Sequence, residues 1–237
     1  MGDTYRILLK VTGEIFLSTD RKTICADTVH MIATQIKKLN KTHQFGIVIG
    51  GGNFFRGNAH GSQLGITQPV AHTVGMLSTL MNTLMLKDIF EQHDIATTIL
   101  TAIACPSVGE HISQHAIDTA FAHNKLIIFA GGTGNPFFTT DTNAVLRGLQ
   151  IHAHEVWKGT KVLGIYSANP AIHTDAQLIS HITYADALRA KIGIMDATAL
   201  TLAQTHNQVI RVFDIFKDNA LIHAANDSAF GSKMTSS

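Results

Sequence analysis

The sequence predicts an α/β fold, an αβα sandwich around a mainly parallel, twisted sheet. Three observations carry that expectation. Short runs rich in Ile, Val, Leu and Phe alternate with longer segments of helical period. The short runs are almost continuously apolar rather than alternating, as in strands covered on both faces. No Ser/Gly/Pro-rich linker divides the 237 residues, which include only 4 prolines. A single domain over 1–237 follows, with an N-terminal lobe over about 1–150 and a C-terminal lobe over about 151–237.

Strands are expected at 6–11, 45–49, 96–100, 126–130, 162–166 and 209–213. Between them, a helix at 27–39 places Val29, Ile32, Ile36 and Leu39 on one stripe and leaves Lys37 and Lys38 outside it. A long Met- and Leu-rich helix is expected at 70–90. Thr140 or Asp141 can cap a helix that runs through Leu146 and Leu149, and Asp196 opens another through Leu200 and Leu202. His111 and His115 are expected four apart on one helix, and the tail at 232–237 is expected to fray.

Composition narrows the function. Hydrophobic residues make up 45% and charged residues 15%, which excludes a disordered chain. With 18 basic and 17 acidic residues the net charge is +1, so no global field draws the protein to nucleic acid or an anionic membrane. An anionic ligand has to be held by local geometry. Cys25 and Cys105 are far apart and form no metal-spacing motif, which favours a reducing compartment. A strand begins almost at once, leaving no room for a signal peptide, and Arg6 stands where a myristoylation motif starting at Met1-Gly2 needs Ser or Thr. No apolar run approaches the roughly 18 residues of a membrane span. A cytoplasmic protein without membrane or nucleic-acid partner is expected.

Four motifs follow strands or flank them. Lys10 ends a strand and Gly13 follows, which suits a phosphate at the carboxyl edge of the sheet; an edge lysine before a turn fits the same residues. Gly50-Gly51-Gly52 leads to Arg56 and Gly57, a bend able to cradle a phosphate with a guanidinium beside it. The spacing is neither a dinucleotide fingerprint nor a Walker A, and a flexible connection is the alternative. Gly131-Gly132-Thr133-Gly134-Asn135-Pro136-Phe137-Phe138-Thr139-Thr140-Asp141 again runs from a strand into glycines and a capped helix. Thr139, Thr140 and the helix start offer donors to an anion, while Asp141 either orients lysines or caps the helix. In Trp157 to Pro170, Lys161 precedes the expected strand and Tyr166 ends it, where the ring can stack on a base or simply pack. Phosphoryl transfer needs charge stabilisation more than covalent chemistry, and two lysines converging from opposite strand ends would supply it.

Taken together, the stretch from Lys10 to Glu14, the run from Gly50 to Gly57, Gly75-Met76-Leu77, the run from Gly131 to Asp141 and Ile194-Met195-Asp196 resemble the bacterial uridylate kinases of the amino acid kinase family, in order and spacing along nearly the whole chain. The resemblance implies a homohexamer that moves the γ-phosphoryl of ATP, with Mg2+, to UMP. The acceptor would lie in the N-terminal lobe and ATP in the C-terminal lobe. It implies catalytic roles for Lys10, Lys161, Asp141 and Asp196, with Asp141 organising the two lysines. ATP would lie along Lys10, Val11, Thr12, Gly13, Gly52, Arg56, Thr160, Tyr166 and Asn169. UMP would be held by Gly51, His72, Thr133, Gly134, Asn135, Pro136, Phe137, Phe138, Thr139 and Thr140. Magnesium would ride on the ATP phosphates, with no protein ligand nominated.

Three family carboxylates are replaced here. His72 stands where an aspartate accepts hydrogen bonds from the UMP ribose, Leu163 replaces the acid of Val-Asp-Gly, and Asn169 that of Ala-Asp-Pro. A neutral histidine can still accept one hydrogen bond, and Asn169 can still reach ATP. The losses motivate two other readings: a non-catalytic nucleotide-sensing regulator or storage homologue, and a relative using another acceptor. The 14 histidines include the pairs His111/His115 and His152/His154, but two imidazoles make an incomplete metal site.

Overall fold

The computed structural model describes residues 4–18 and 23–236. The Met1-Gly2 reading therefore lies outside the described residues. In chain order the elements are β1 (Tyr5–Val11), a 3-10 turn (Gly13–Phe16), α1 (Asp27–Leu39), β2 (His43–Ile49), α2 (Gly57–Leu64), α3 (Gln68–Gln92), β3 (Thr97–Thr101), β4 (Glu110–His111), α4 (Gln114–Ala122), β5 (Leu126–Ala130), α5 (Thr140–Gln150), β6 (Glu155–Thr160), β7 (Ile165–Tyr166), β8 (Leu178–Ile179), β9 (His181–Thr183), α6 (Tyr184–Arg189), α7 (Ala197–Thr205), β10 (Val209–Asp214), α8 (Ala220–Asn226) and β11 (Ser232–Thr235).

Nine strands form one sheet in the order β4-β3-β5-β2-β1-β6-β10-β11-β9, and every pairing is parallel except β10 with β11. Both faces are covered, which is why the strand sequences read as continuous apolar runs. In β1, Leu9 faces a layer built by Ile32 and Ile36 of α1, Leu86 and Phe90 of α3 and Leu221 of α8. Its neighbour Leu8 faces the opposite layer, built by Ile117 of α4, Val145 of α5, Tyr184 of α6 and Leu200 of α7. Because β1, β2, β5, β6 and β10 run the same way, Val11, Ile49, Ala130, Thr160 and Asp214 all end at one edge. The glycine-rich motifs leave the sheet from that edge.

Three expectations need correction. The strand placed at 162–166 lies earlier, at Glu155–Thr160, and only Ile165–Tyr166 stays extended, paired with β8 in a separate two-stranded ribbon. Glu155 and Lys158 make this segment read as surface, yet both are buried because Arg211 and Asp141 neutralise them. The tail does not fray through Thr235: Met234 is fully buried, and the Ser232 hydroxyl accepts the Ile165 N–H at 2.8 Å. His111 and His115 do not share a helix, since His111 ends β4 and Ser113 caps α4 by accepting the Ala116 N–H.

Candidate active site

Two charged clusters stand at the carboxyl edge. The first is centred on Asp141, in the first turn of α5. One carboxylate oxygen pairs with Lys10 Nζ at 3.0 Å and the other with Lys158 Nζ at 2.7 Å. Lys158 also donates to the Ile194 carbonyl. Burial alone would push the Asp141 carboxyl up, but the Lys10 and Lys158 ammonium groups outweigh it and hold the group below the usual carboxylate range. Burial pulls Lys158 down, partly offset by Asp141.

Asp141 is free for this task because it does not cap its own helix. Thr139 is the cap: its hydroxyl accepts the N–H of Asp141 at 3.0 Å and of Thr142 at 3.2 Å. This corrects the expectation of a cap at Thr140 or Asp141. Asp196 caps α7 through the Ala199 N–H at 3.0 Å. It also accepts the hydroxyls of Thr139 and Thr142, tying the start of α5 to the start of α7.

The second cluster is centred on Glu14. Its carboxylate pairs with Arg56 at 2.5 Å and with Lys161. Lys161 thus follows β6 rather than preceding a strand, and its amine meets Glu14, not Asp141. The lysine that shares Asp141 with Lys10 is Lys158. Residue-by-residue reading missed it because the strand was placed at 162–166, which left Lys158 in the connection ahead of it. Its one available signal was its place next to Trp157 in an otherwise buried stretch.

The glycine bends are held by contact, not slackness. A Cβ at Gly13 would come within 2.6 Å of the Gly50 carbonyl, so the first two motifs touch backbone to backbone. A Cβ at Gly51 would meet Ser78 Cβ at 2.7 Å, which presses this bend against α3. Asn82 of α3 fixes the arrangement, donating to the Gly50 carbonyl at 2.7 Å and pairing amide to amide with Asn53. Neither asparagine stood out in the sequence.

A cavity of about 170 Å³ lies between α3 and the loop before α5. Of the residues expected around UMP, Gly51, His72, Asn135, Phe138, Thr139 and Thr140 line it. Thr133, Gly134, Pro136 and Phe137 belong to the same loop without lining it. His72 spends its Nδ1 lone pair on the Phe137 N–H at 2.8 Å, and the two rings meet edge to face. Phe137 has a φ of 71°, a left-handed conformation costly for a bulky residue, and the His72 contact helps hold it. The hydrogen bond expected from His72 to a ribose is therefore already committed to the protein at Nδ1.

A second cavity, about 430 Å³, is lined by Glu14, Leu17, Lys161, Asp214 and Phe216 among others. Lys10, Val11, Thr12, Gly13, Gly52 and Arg56 lie on the β1 end and the glycine bend that lead to Glu14. Thr160 accepts the Val162 N–H at 3.0 Å. Tyr166 lies on the ribbon, and Asn169 starts the following turn by accepting the Ala171 N–H at 3.0 Å. Neither lines this cavity. Among the described residues, no group of three or more His, Cys, Asp or Glu side chains could hold a metal ion.

Comparison with known proteins fits this geometry. The profile of the Amino acid kinase family matches residues 5–214. Uridylate kinase from Yersinia pestis (strain Pestoides F) is 42% identical over 217 residues, spanning 91% of this chain and 90% of its own. The uridylate kinase of Serratia proteamaculans (strain 568) has the same identity and coverage. Among solved structures, UMP kinase from Ureaplasma parvum superposes with a TM-score of 0.92 at 32% identity, covering 98% of this chain and 99% of that one. UMP kinase from Bacillus anthracis gives 0.92 at 26%, covering 98% and 96%.

Proposed function

This chain belongs to the amino acid kinase family, and from that premise we propose that it transfers the γ-phosphoryl group of ATP to UMP, giving ADP and UDP for pyrimidine nucleotide synthesis. The observation that carries the reading is the Lys10–Asp141–Lys158 cluster, set beside a cavity walled by Thr139 and Thr140. An oxygen of the UMP phosphate attacks the γ-phosphorus while the bond to the bridging β–γ oxygen breaks, and the electron pair leaves with ADP. The attacking oxygen is already anionic, so no strong general base is needed. Rate comes from positioning and from cations placed where charge develops.

In this reading UMP occupies the cavity under the 131–140 loop, in the N-terminal lobe over about 1–150, and ATP comes from the side of Glu14, Lys161 and the C-terminal lobe. Its phosphates take Lys161 and Arg56 over from Glu14. Tyr166 and Asn169 sit further along the donor side. The Asp141 and Asp196 carboxylates are filled by ammonium, hydroxyl or amide partners, so these two groups offer no cage for Mg2+. The ion would arrive on the ATP phosphates and offset their charge, and no step is derived through a protein ligand.

The same reading assigns the chain to the cytoplasm as a homo-oligomer, a hexamer by its resemblance. Val70, Leu77, Met81 and Leu84 stand about half exposed on one side of α3, an apolar stripe that a second subunit can cover. No helix among the described residues is long and apolar enough to cross a membrane.

The engagement of His72 by Phe137 supports a second reading, that of a different acceptor, because the ribose contact is altered. One assay separates the two: ADP release from ATP with UMP, CMP, AMP or no acceptor. UMP as the fastest acceptor by at least about tenfold supports the first reading, on the scale of one well-placed polar contact. Another acceptor ahead of UMP supports the second. UMP binding without any ADP overturns both and leaves a nucleotide-sensing regulator.

A further inference from the structure

We propose that Lys158 is a positioning residue for phosphoryl transfer, acting through Asp141 on Lys10. The proposal rests on the kinase reading above and adds the group that sets how much charge Lys10 can offer.

Lys10 and Lys158 are register partners on the adjacent parallel strands β1 and β6. Their side chains therefore leave the sheet on the same face, about 4.8 Å apart at the backbone. Asp141 descends on that pair from α5 and gives one oxygen to each amine. Lys158 is only 8% exposed and spends a second N–H on the Ile194 carbonyl. A lysine that deeply buried needs a partner, and here the partner is the one carboxylate that also holds Lys10.

Charge decides what Lys158 does. Asp141 faces Lys10 from β1 and Lys158 from β6, and Lys158 in turn feels the Asp196 carboxylate at the start of α7. Two ammonium groups and two carboxylates balance. Without Lys158 the cluster carries a net negative charge, Asp141 pairs with Lys10 alone, and an arriving phosphate meets an uncompensated carboxylate. With Lys158 present, Asp141 is shared. Lys10 commits one of its three ammonium protons to Asp141 and keeps the others, and its charge, for the transferring phosphoryl.

The test uses the full chain with Lys158→Met, Asp141→Asn and the double variant. It measures kcat and KM for UMP, and calorimetric stoichiometry of UMP binding fixes the fraction of competent sites. We expect kcat per competent site to fall about a hundredfold or more in Lys158→Met, with KM for UMP within about threefold. The double variant should be no more than about threefold slower than the slower single, because both changes undo one arrangement. The acid limb of kcat should move to higher pH in Lys158→Met, since Asp141 loses a cation. Should Lys158→Met fail to fold, the double variant has no uncompensated buried carboxylate, and its equality with Asp141→Asn carries the test. Turnover within threefold of wild type in Lys158→Met overturns the proposal. So do losses that multiply in the double variant, which would mean that Lys158 acts on the phosphoryl by itself. A wild-type chain that never turns over UMP defeats the kinase reading instead, and is seen before any variant is made.

Discussion

Strand β6 carries a buried carboxylate cluster near each end, and the two are built differently. At its start, Glu155 is held by Arg211 through two bonds, Nε at 2.8 Å and Nη2 at 3.1 Å, and by the Trp157 N–H at 2.8 Å. Lys233 adds a contact at 3.3 Å. The remaining Arg211 nitrogen donates to the carbonyls of Asp227 and Phe230. Every nitrogen of that guanidinium is spoken for, so Arg211 locks β6 to β10, while Lys233 ties in β11 by a single, longer contact. At the other end Asp141 is held by ammonium groups, each with protons to spare. The same motif, a buried carboxylate between cations, is a clamp when the donors are exhausted and a working site when they are not.

Breaking the clamp should have the largest effect. Arg211→Met leaves Glu155 with the Trp157 N–H and the longer Lys233 contact and should cost about 3 kcal/mol, the low end for a buried carboxylate that loses its main cation. Urea denaturation should show a markedly lower midpoint, while kcat per folded molecule stays near wild type. Loss of turnover at full folding would show that the two ends of β6 are coupled.

At the working end the signature reverses. Lys10→Ala and Lys161→Ala should each lower kcat by at least about a hundredfold, the loss expected for one charge-stabilising donor. Their unfolding midpoints should move far less than that of Arg211→Met. Steady-state assays with saturating ATP and UMP read this directly, and unchanged turnover in either variant removes that lysine from the mechanism.

Acid provides a milder probe of both ends. Burial pushes the Glu155 carboxyl up, but Arg211 outweighs it, and the net shift is downward, as for Asp141. A carboxyl with a lower pKa in the folded chain contributes stability that is fully present above its unfolded value. That stability is lost as pH falls through the folded value. Stability should hold from neutrality to about pH 5 and then decline on further acidification. Glu155→Gln, measured by urea midpoints across that range, should lose part of the dependence; an unchanged slope would mean Glu155 is not held in its charged form.

The smallest effect is expected at the acceptor wall. His72→Ala removes the acceptor for the Phe137 N–H and should raise KM for UMP about fivefold, the scale of one modest hydrogen bond, with kcat little changed. His72→Asn, whose side-chain oxygen can take over near the Nδ1 position, should recover most of it. No recovery would mean that the imidazole serves through its ring contact instead.

The sheet was legible because strands buried on both faces must be apolar throughout, and 126–130 and 27–39 were read with the boundaries the structure has. The glycine bends were legible because close backbone approach, as at Gly13 and Gly51, excludes a Cβ. Strand β6 was misplaced because Glu155 and Lys158 look like exterior residues until Arg211 and Asp141 are set beside them. Local sequence alone determined where the glycine bends fall, which uniformly apolar segments are buried and which stretches could receive an anion. Which lysine shares a carboxylate with Lys10, which threonine caps α5 and which group occupies His72 were decided only in three dimensions. Those choices depend on the register of β1 against β6 and on how α3 meets the 131–140 loop. Such pairings join residues remote in the chain, and their energies exist only once the partners are buried together.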